Sequence, residues 1–367
     1  MDKNLKAFLA LVRAGLWEKE VRLSRFGEVD FKEVMRIAEM QSVVGLVTAG
    51  LEHVSDVKVP QEELLQFIGH TIQLEQCNSA MNSFIEHMVK SMQDNGIYAL
   101  LVKGQGVAQC YERPLWRSSG DVDFLLNVDN YNKARDFLAP LALQVNEEDQ
   151  YRLHLGMTID SWIVELHGTL HTRQLKRVNR VLDKVQEDVF KSGRVRVWKN
   201  GETDIFIPAP THDCFFVFMH IIQHFFGGGI GLRQFCDWCR LLWTYKNEID
   251  ERLLEDCLNI SGMMSEWKTF AAFAINYLGM PEDVMPLYSK TTRWRLKANK
   301  VVDIIMETGS FGHKRKQSNI KGRTRISSNI DSLWRYTRDT ARLISVFPVD
   351  SVKVWGNMFL YGLKNNL

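Results

Sequence analysis

The sequence lacks a long hydrophobic run. Nothing in its 367 residues approaches the roughly 20 consecutive apolar residues of a membrane-spanning helix. The apolar stretch at 7–12 stops at Arg13 and no small-residue cleavage site follows, so it does not read as a secretion signal. Cysteine is scarce: six residues are too few for a disulfide scaffold. Together these absences set a cytoplasmic expectation. Net charge is small as well. Lys plus Arg number 46 against 44 Asp plus Glu, which excludes a uniformly polyanion-coating surface but leaves room for local patches. Internal repeats and low-complexity tracts are missing.

What is present is an ordinary globular composition, 45% hydrophobic and 25% charged, with material for a sizeable core. The length predicts two or three domains. Ten Trp and twenty Phe suit packed helices and stacking surfaces.

The texture divides the chain into four parts. Residues 1–95 read as helical, with Leu5, Phe8, Leu9 and Val12 at helical spacing. Pro60 marks the start of a long helix carrying Leu64, Leu65, Ile68 and Ile72, then Met81, Phe84, Ile85 and Met88. Residues 96–206 read as an α/β block. Apolar runs at 97–102, 121–126 and 162–167 predict strands, and 194–198 alternates as an edge strand does. A short helix is expected within 106–111, and a longer one over 129–138 with Asp129 as its cap. Residues 207–308 return to helix, at 214–226, 232–245, 250–278 and 282–308, with Thr211, His212 and Asp213 offering the first cap. Residues 309–367 hold a basic segment and a last helix over 329–346. The expected class is α+β: a small mixed sheet between helical N-terminal and C-terminal regions.

The chemistry concentrates around Asp121-Val122-Asp123. Residues two apart in a strand point the same way, so the two carboxylates share one face. Like charges on an apolar strand repel unless a cation offsets them. A hard divalent ion does this, and Mg²⁺ borrows its remaining ligands from substrate phosphates. Glu165 sits in an otherwise apolar strand and offers a third carboxylate. Asp160 competes with it, but lies at the strand start and on the opposite face. Three convergent carboxylates hold two ions about 3.5–4 Å apart in enzymes of phosphoryl or nucleotidyl transfer. Lys103-Gly104 closes the preceding strand with a turn that admits phosphate, and Arg117 offers a guanidinium for phosphate oxygens.

Lys103-Gly104, Tyr111, Pro114, Arg117, Asp121-x-Asp123 and Glu165-Leu166-His167 together resemble the uncharacterised nucleotidyltransferase family of the polymerase-β-like superfamily. The later block His220, His224, Gly229, Arg233 and Asp237 is similar to that family's helical region. The resemblance covers about 96–245. It implies a mixed-sheet core in which Asp121, Asp123 and Glu165 are the catalytic metal-binding acids. Two Mg²⁺ ions are the expected cofactor, with Mn²⁺ as a substitute, and an NTP is the expected substrate. The implied reaction passes an NMP group to an acceptor that the sequence does not name: a small molecule, a sugar, a protein or an RNA end. The alternative is a non-catalytic nucleotide- or nucleic-acid-binding protein on the same fold.

Other features have plainer readings. His167 shares a strand face with Glu165 and lines the cleft or packs as a structural residue. His220 and His224 lie four apart on one helix face, but Ile221 stands where a zinc protease carries Glu, so cleft lining is preferred to zinc. His212 belongs to the same weak zinc reading. Cys236 and Cys239 have no partner pair and read as core thiols. Arg233 and Asp237, four apart, suggest an intrahelical ion pair or a cleft position. The glycines at 227–231 follow a helix and carry no Lys-Ser, so they read as a helix-to-helix turn. Lys314, Arg315, Lys316, Lys321, Arg323 and Arg325 form a basic segment, solvated or facing a phosphate-rich partner.

Overall fold

The computed structural model describes residues 2–172, 175–309, 337–338 and 340–366. Four α-helices open the chain: α1 (Lys3–Trp17), α2 (Phe31–Met40), α3 (Val44–Glu52) and α4 (Gln61–Asp94). The Asp30 carboxylate accepts from the Lys32 and Glu33 amides and caps α2. Glycines let α1 and α3 approach closely. A Cβ on Gly15 would lie 1.9 Å from the Leu46 carbonyl oxygen, and one on Gly50 would lie 2.1 Å from that of Leu11. Only the second half of α4 buries the stripe predicted for it. Met81, Ile85 and Met88 are in the core, whereas Leu65, Ile68 and Ile72 stay exposed.

The central block follows: β1 (Leu100–Val102), α5 (Gly104–Ala108), β2 (Val122–Leu125), α6 (Val128–Leu138), β3 (Gln144–Val145), β4 (His154–Ile159) and β5 (Trp162–His167). The five strands form one mixed sheet in the order β1-β2-β5-β4-β3. Only β2 and β5 run parallel. Val122, Phe124, Val164, Leu166, Leu155 and Met157 share one face and pack on α4 and α6. The other face carries the polar residues described below.

Several local expectations change. Asn127, not Asp129, caps α6, since its side chain accepts from the Asn130 amide. Strands β3 and β4 were not anticipated from the sequence, nor was α7 (Asn179–Ser192). The alternating stretch at 194–198 belongs to β6 (Val195–Asn200). It pairs with β7 (Thr203–Pro208) in a separate two-stranded sheet, not at an edge of the main one.

Helices α8 (Pro210–Gly227), α9 (Leu232–Thr244), α10 (Glu251–Ser261), α11 (Met264–Leu278), α12 (Thr292–Thr308) and α13 (Pro348–Asn366) follow, and the described residues 340–344 of the expected last helix are helical too. Pro210 occupies the first turn of α8, so the helix begins before the expected cap at 211–213. Left-handed Gly262 divides the stretch expected over 250–278, and the next helix begins only at Thr292. The glycines after α8 form the helix-to-helix turn anticipated, with Gly228 at φ +101°. The basic segment 314–325 and the start of the predicted last helix, with Trp334 and Tyr336, lie outside the described residues. Phe8, Leu11 and Val47 share one core with Phe218, Trp238 and Phe270, so the early and late helices pack together. Among the described residues, no helix is long and apolar enough to cross a membrane.

Candidate active site

The strand register builds the site. Asp123 on β2 lies beside Glu165 on β5, and Glu165 lies opposite Gly156 on β4. Parallel neighbours in register project to the same side, so Asp123 and Glu165 face one cleft. Asp121 stands just before β2, two residues from Asp123. Carboxylate oxygens of Asp121, Asp123 and Glu165 lie within 4.8 Å of one another. Asp160 is exposed in the two-residue turn between β4 and β5, in the left-handed region at φ +52°, and is not part of this cluster.

Three cationic or potentially cationic groups surround the acids. Lys103 Nζ donates to Asp123 Oδ1 at 2.8 Å, and His167 Nε2 is 2.7 Å from the same oxygen. His154 Nε2 lies 3.1 Å from Glu165 Oε2, which His167 also approaches at 3.5 Å. Lys103 adopts φ +58°, ψ −147°, a region costly for any residue with a side chain. Such strain costs on the order of 1–3 kcal/mol and persists where surrounding contacts impose it.

The electrostatics follow from this crowding. Repulsion from Asp123, with burial second, pushes the Asp121 carboxyl up. Burial pushes Asp123 up as well, but Lys103 and His167 outweigh it and hold this carboxyl below the usual range. The Glu165 carboxyl is held low for the same kind of reason, with hydrogen bonds from His154 and His167 overcoming burial. Burial opposes charge on Lys103 and His167, yet the neighbouring acids raise both above their ordinary values. A cluster of three acids that draws protonated groups to itself suits a divalent cation, and its all-oxygen donor set fits Mg²⁺ or Mn²⁺.

A network from α9 secures the segment leading into β2. Arg117 is buried, and its guanidinium grips Asp237 through two hydrogen bonds of 2.7 and 2.8 Å. Tyr111 donates its hydroxyl to the same carboxylate at 2.7 Å. Asp237 thus pairs across the fold with Arg117, in place of the intrahelical Arg233 pair suggested by spacing. Arg233, one turn earlier, donates to the carbonyl oxygens of Ser118 and Ser119 at 3.0 and 2.9 Å. The Asn78 amide donates to the carbonyls of Leu115 and Arg117, both at 2.7 Å. The loop at 115–119 is therefore held from two sides.

Asp121 and Glu165 border a cavity of about 300 Å³ that Lys103, His167, Gln223 and Arg233 also line. Its far wall is apolar, with Leu170, Leu182, Phe216 and Met219. His220 and His224 line it too, with their Nε2 atoms 2.8 Å apart, so one donates and the other accepts. Burial, then the charge on Lys103, lowers both, and His224 falls to about 4. Gly104 begins α5 beside Asp121. His212 is elsewhere, 2.8 Å from Asp188. Cys236 and Cys239 are buried free thiols in α9.

Sequence reasoning overlooked His154. Its signal was present in the alternation of 154–159 followed by the Asp160-Ser161 turn into β5.

The clustered carboxylates of Asp121, Asp123 and Glu165, beside a largely buried lysine, could hold a metal ion. The chain belongs to a family of uncharacterised nucleotidyltransferases, whose family model matches residues 27–264. The match extends past the 96–245 expected from motifs, into the helices on both sides. No curated protein and no solved structure matches the chain.

Proposed function

We propose that this chain is a Mg²⁺-dependent nucleotidyltransferase that moves an NMP group from an NTP to an acceptor and releases pyrophosphate. The observation that carries the reading is the convergence of Asp121, Asp123 and Glu165 on one sheet face, in a chain of this family. These residues would hold two ions, Mg²⁺ or Mn²⁺. Bound there, the ions would neutralise the triphosphate and align attacking and leaving oxygens.

The chain's own groups supply the rest. Lys103 is charged, largely buried and fixed on Asp123, so it can turn its remaining protons to phosphate oxygens at little entropic cost. Gly104 admits close approach of phosphate to the backbone. Arg117 is committed to Asp237, so its contribution is to position the loop before Asp121. Arg233 lies at the cleft and takes over the phosphate role first expected of Arg117. Neutral His220 and His224, with Gln223, offer hydrogen bonds toward base or ribose, while Phe216 and Met219 provide a surface for a flat ring. Glu165, held ionised, suits cation binding better than proton abstraction. The acceptor is a hydroxyl or similar group on a small molecule, sugar, protein or RNA.

Thermal unfolding with each NTP, with and without Mg²⁺, tests this reading. A metal-dependent shift that is lost in Asp121→Asn supports it, and labelled NTP in a cell extract then identifies the acceptor by mass spectrometry. Stabilisation by RNA but by no NTP favours a non-catalytic binding protein.

A further inference from the structure

We propose that His154, Glu165 and His167 form a second kind of metal position, one that takes a first-row transition ion through two imidazoles and a carboxylate. Its donors are independent of Asp121, and it does not rest on nucleotidyl transfer. It shares only Glu165 with the carboxylate trio.

Geometry carries the assignment. One nitrogen of each imidazole and one Glu165 oxygen lie within 4.8 Å of one another. His154 Nε2 is 3.1 Å from Glu165 Oε2, and His167 Nε2 is 3.5 Å from the same atom. Around an ion with ligand bonds of ~2.1 Å, adjacent donors sit about 3.0–3.4 Å apart, so these separations need little adjustment. The backbone fixes this arrangement. His154 and His167 are direct partners across the β4–β5 pair, and their rings lie 4.8 Å apart. All three residues border the cavity, which leaves room for water or phosphate as further ligands.

Chemistry separates this position from the all-oxygen one. Imidazole is a poor ligand for Mg²⁺ and a good one for Co²⁺, Ni²⁺ and Zn²⁺. A simple ion pair accounts for one imidazole on Glu165, since one positive charge balances one negative. The carboxylate can accept from a second imidazole as well, so it is the convergence of His154 and His167 on one oxygen, with His167 also on Asp123, that matches a metal's ligand set. On ion binding, His167 Nε2 gives its proton to solvent and its lone pair to the metal. Asp123 Oδ1 then keeps Lys103 as its donor. The result is two unlike kinds of ion position around Glu165, the all-oxygen kind and one of mixed nitrogen and oxygen.

The test uses the full chain, stripped with a chelator and titrated with Co²⁺ in excess Mg²⁺. Visible absorption follows Co²⁺, and low-temperature pulsed EPR of the same ion reads its nitrogen couplings. One tightly bound Co²⁺ per chain, with imidazole-nitrogen couplings, is expected. His154→Gln and His167→Gln, with folding checked by circular dichroism, should each weaken Co²⁺ binding at least about tenfold. Asp121→Asn should retain it. Absence of Co²⁺ uptake, uptake without nitrogen couplings, or uptake that survives His154→Gln in the folded protein overturns the proposal. If neither histidine variant folds, the wild-type nitrogen couplings decide. Mg²⁺–NTP thermal shifts, measured alongside, report separately on nucleotidyl transfer.

Discussion

Arg117 and Asp237, 120 positions apart in sequence, form a doubly hydrogen-bonded ion pair that ties α9 to the loop entering the acidic strand. Both side chains are nearly inaccessible. A buried pair of this kind fixes geometry more surely than it adds net stability, because desolvation offsets much of the attraction. Removing one partner is different, since a charge is then stranded. Asp237→Ala should destabilise the fold by about 3–5 kcal/mol in urea unfolding. The double replacement Arg117→Leu/Asp237→Leu should cost less than the sum of the single Leu replacements. Additive losses would mean that the pair is not coupled.

Replacing a single acid of the trio should separate stability from function. Asp121→Asn removes the charge that repels Asp123, so the melting temperature measured in EDTA should rise. The same variant should lose at least about 100-fold in nucleotidyl transfer, the size expected when several kcal/mol of charge stabilisation disappears. A drop in melting temperature would contradict the electrostatic account of this site.

Acid should weaken the fold through His224. Its folded value of about 4 lies below the ordinary 6.5, so below pH 6.5 the unfolded chain binds a proton that the folded chain refuses. Stability therefore falls as pH drops from 6.5 towards 4, by at most about 3 kcal/mol from this group, and levels off below. His224→Gln should show a shallower loss over that interval than the wild-type chain, measured as melting temperature against pH. Parallel curves would refute this.

The crossing of α1 and α3 has no spare volume. Gly15→Ala and Gly50→Ala each bring a methyl into a carbonyl oxygen, with no flexible side chain to yield. Each should cost about 1–3 kcal/mol by overpacking, against the usual gain from replacing glycine by alanine in a helix. Chemical denaturation reads the sign directly.

Much of the site was legible in the chain because it rests on local rules. Period-two alternation put Asp121 and Asp123 on one face, and an acid inside an apolar run singled out Glu165. Periodicity likewise located α1, the second half of α4 and α9. Weak or crowded signals were missed: β3 has two residues, and β4 contains Gly156 and begins at a histidine. The exposed Leu65, Ile68 and Ile72 show that an apolar stripe predicts a helix without predicting what covers it.

The sequence by itself determined the residue types, their strand faces and their resemblance to a family, since these depend on near neighbours along the chain. Only the tertiary structure decided who meets whom. Parallel register set Glu165 beside Asp123, and antiparallel register brought His154 opposite His167. Packing of α9 turned Arg117 from a free phosphate ligand into the partner of Asp237. The Asp123–Glu165 and Arg117–Asp237 pairings join residues 42 and 120 positions apart, and no local periodicity encodes such distances.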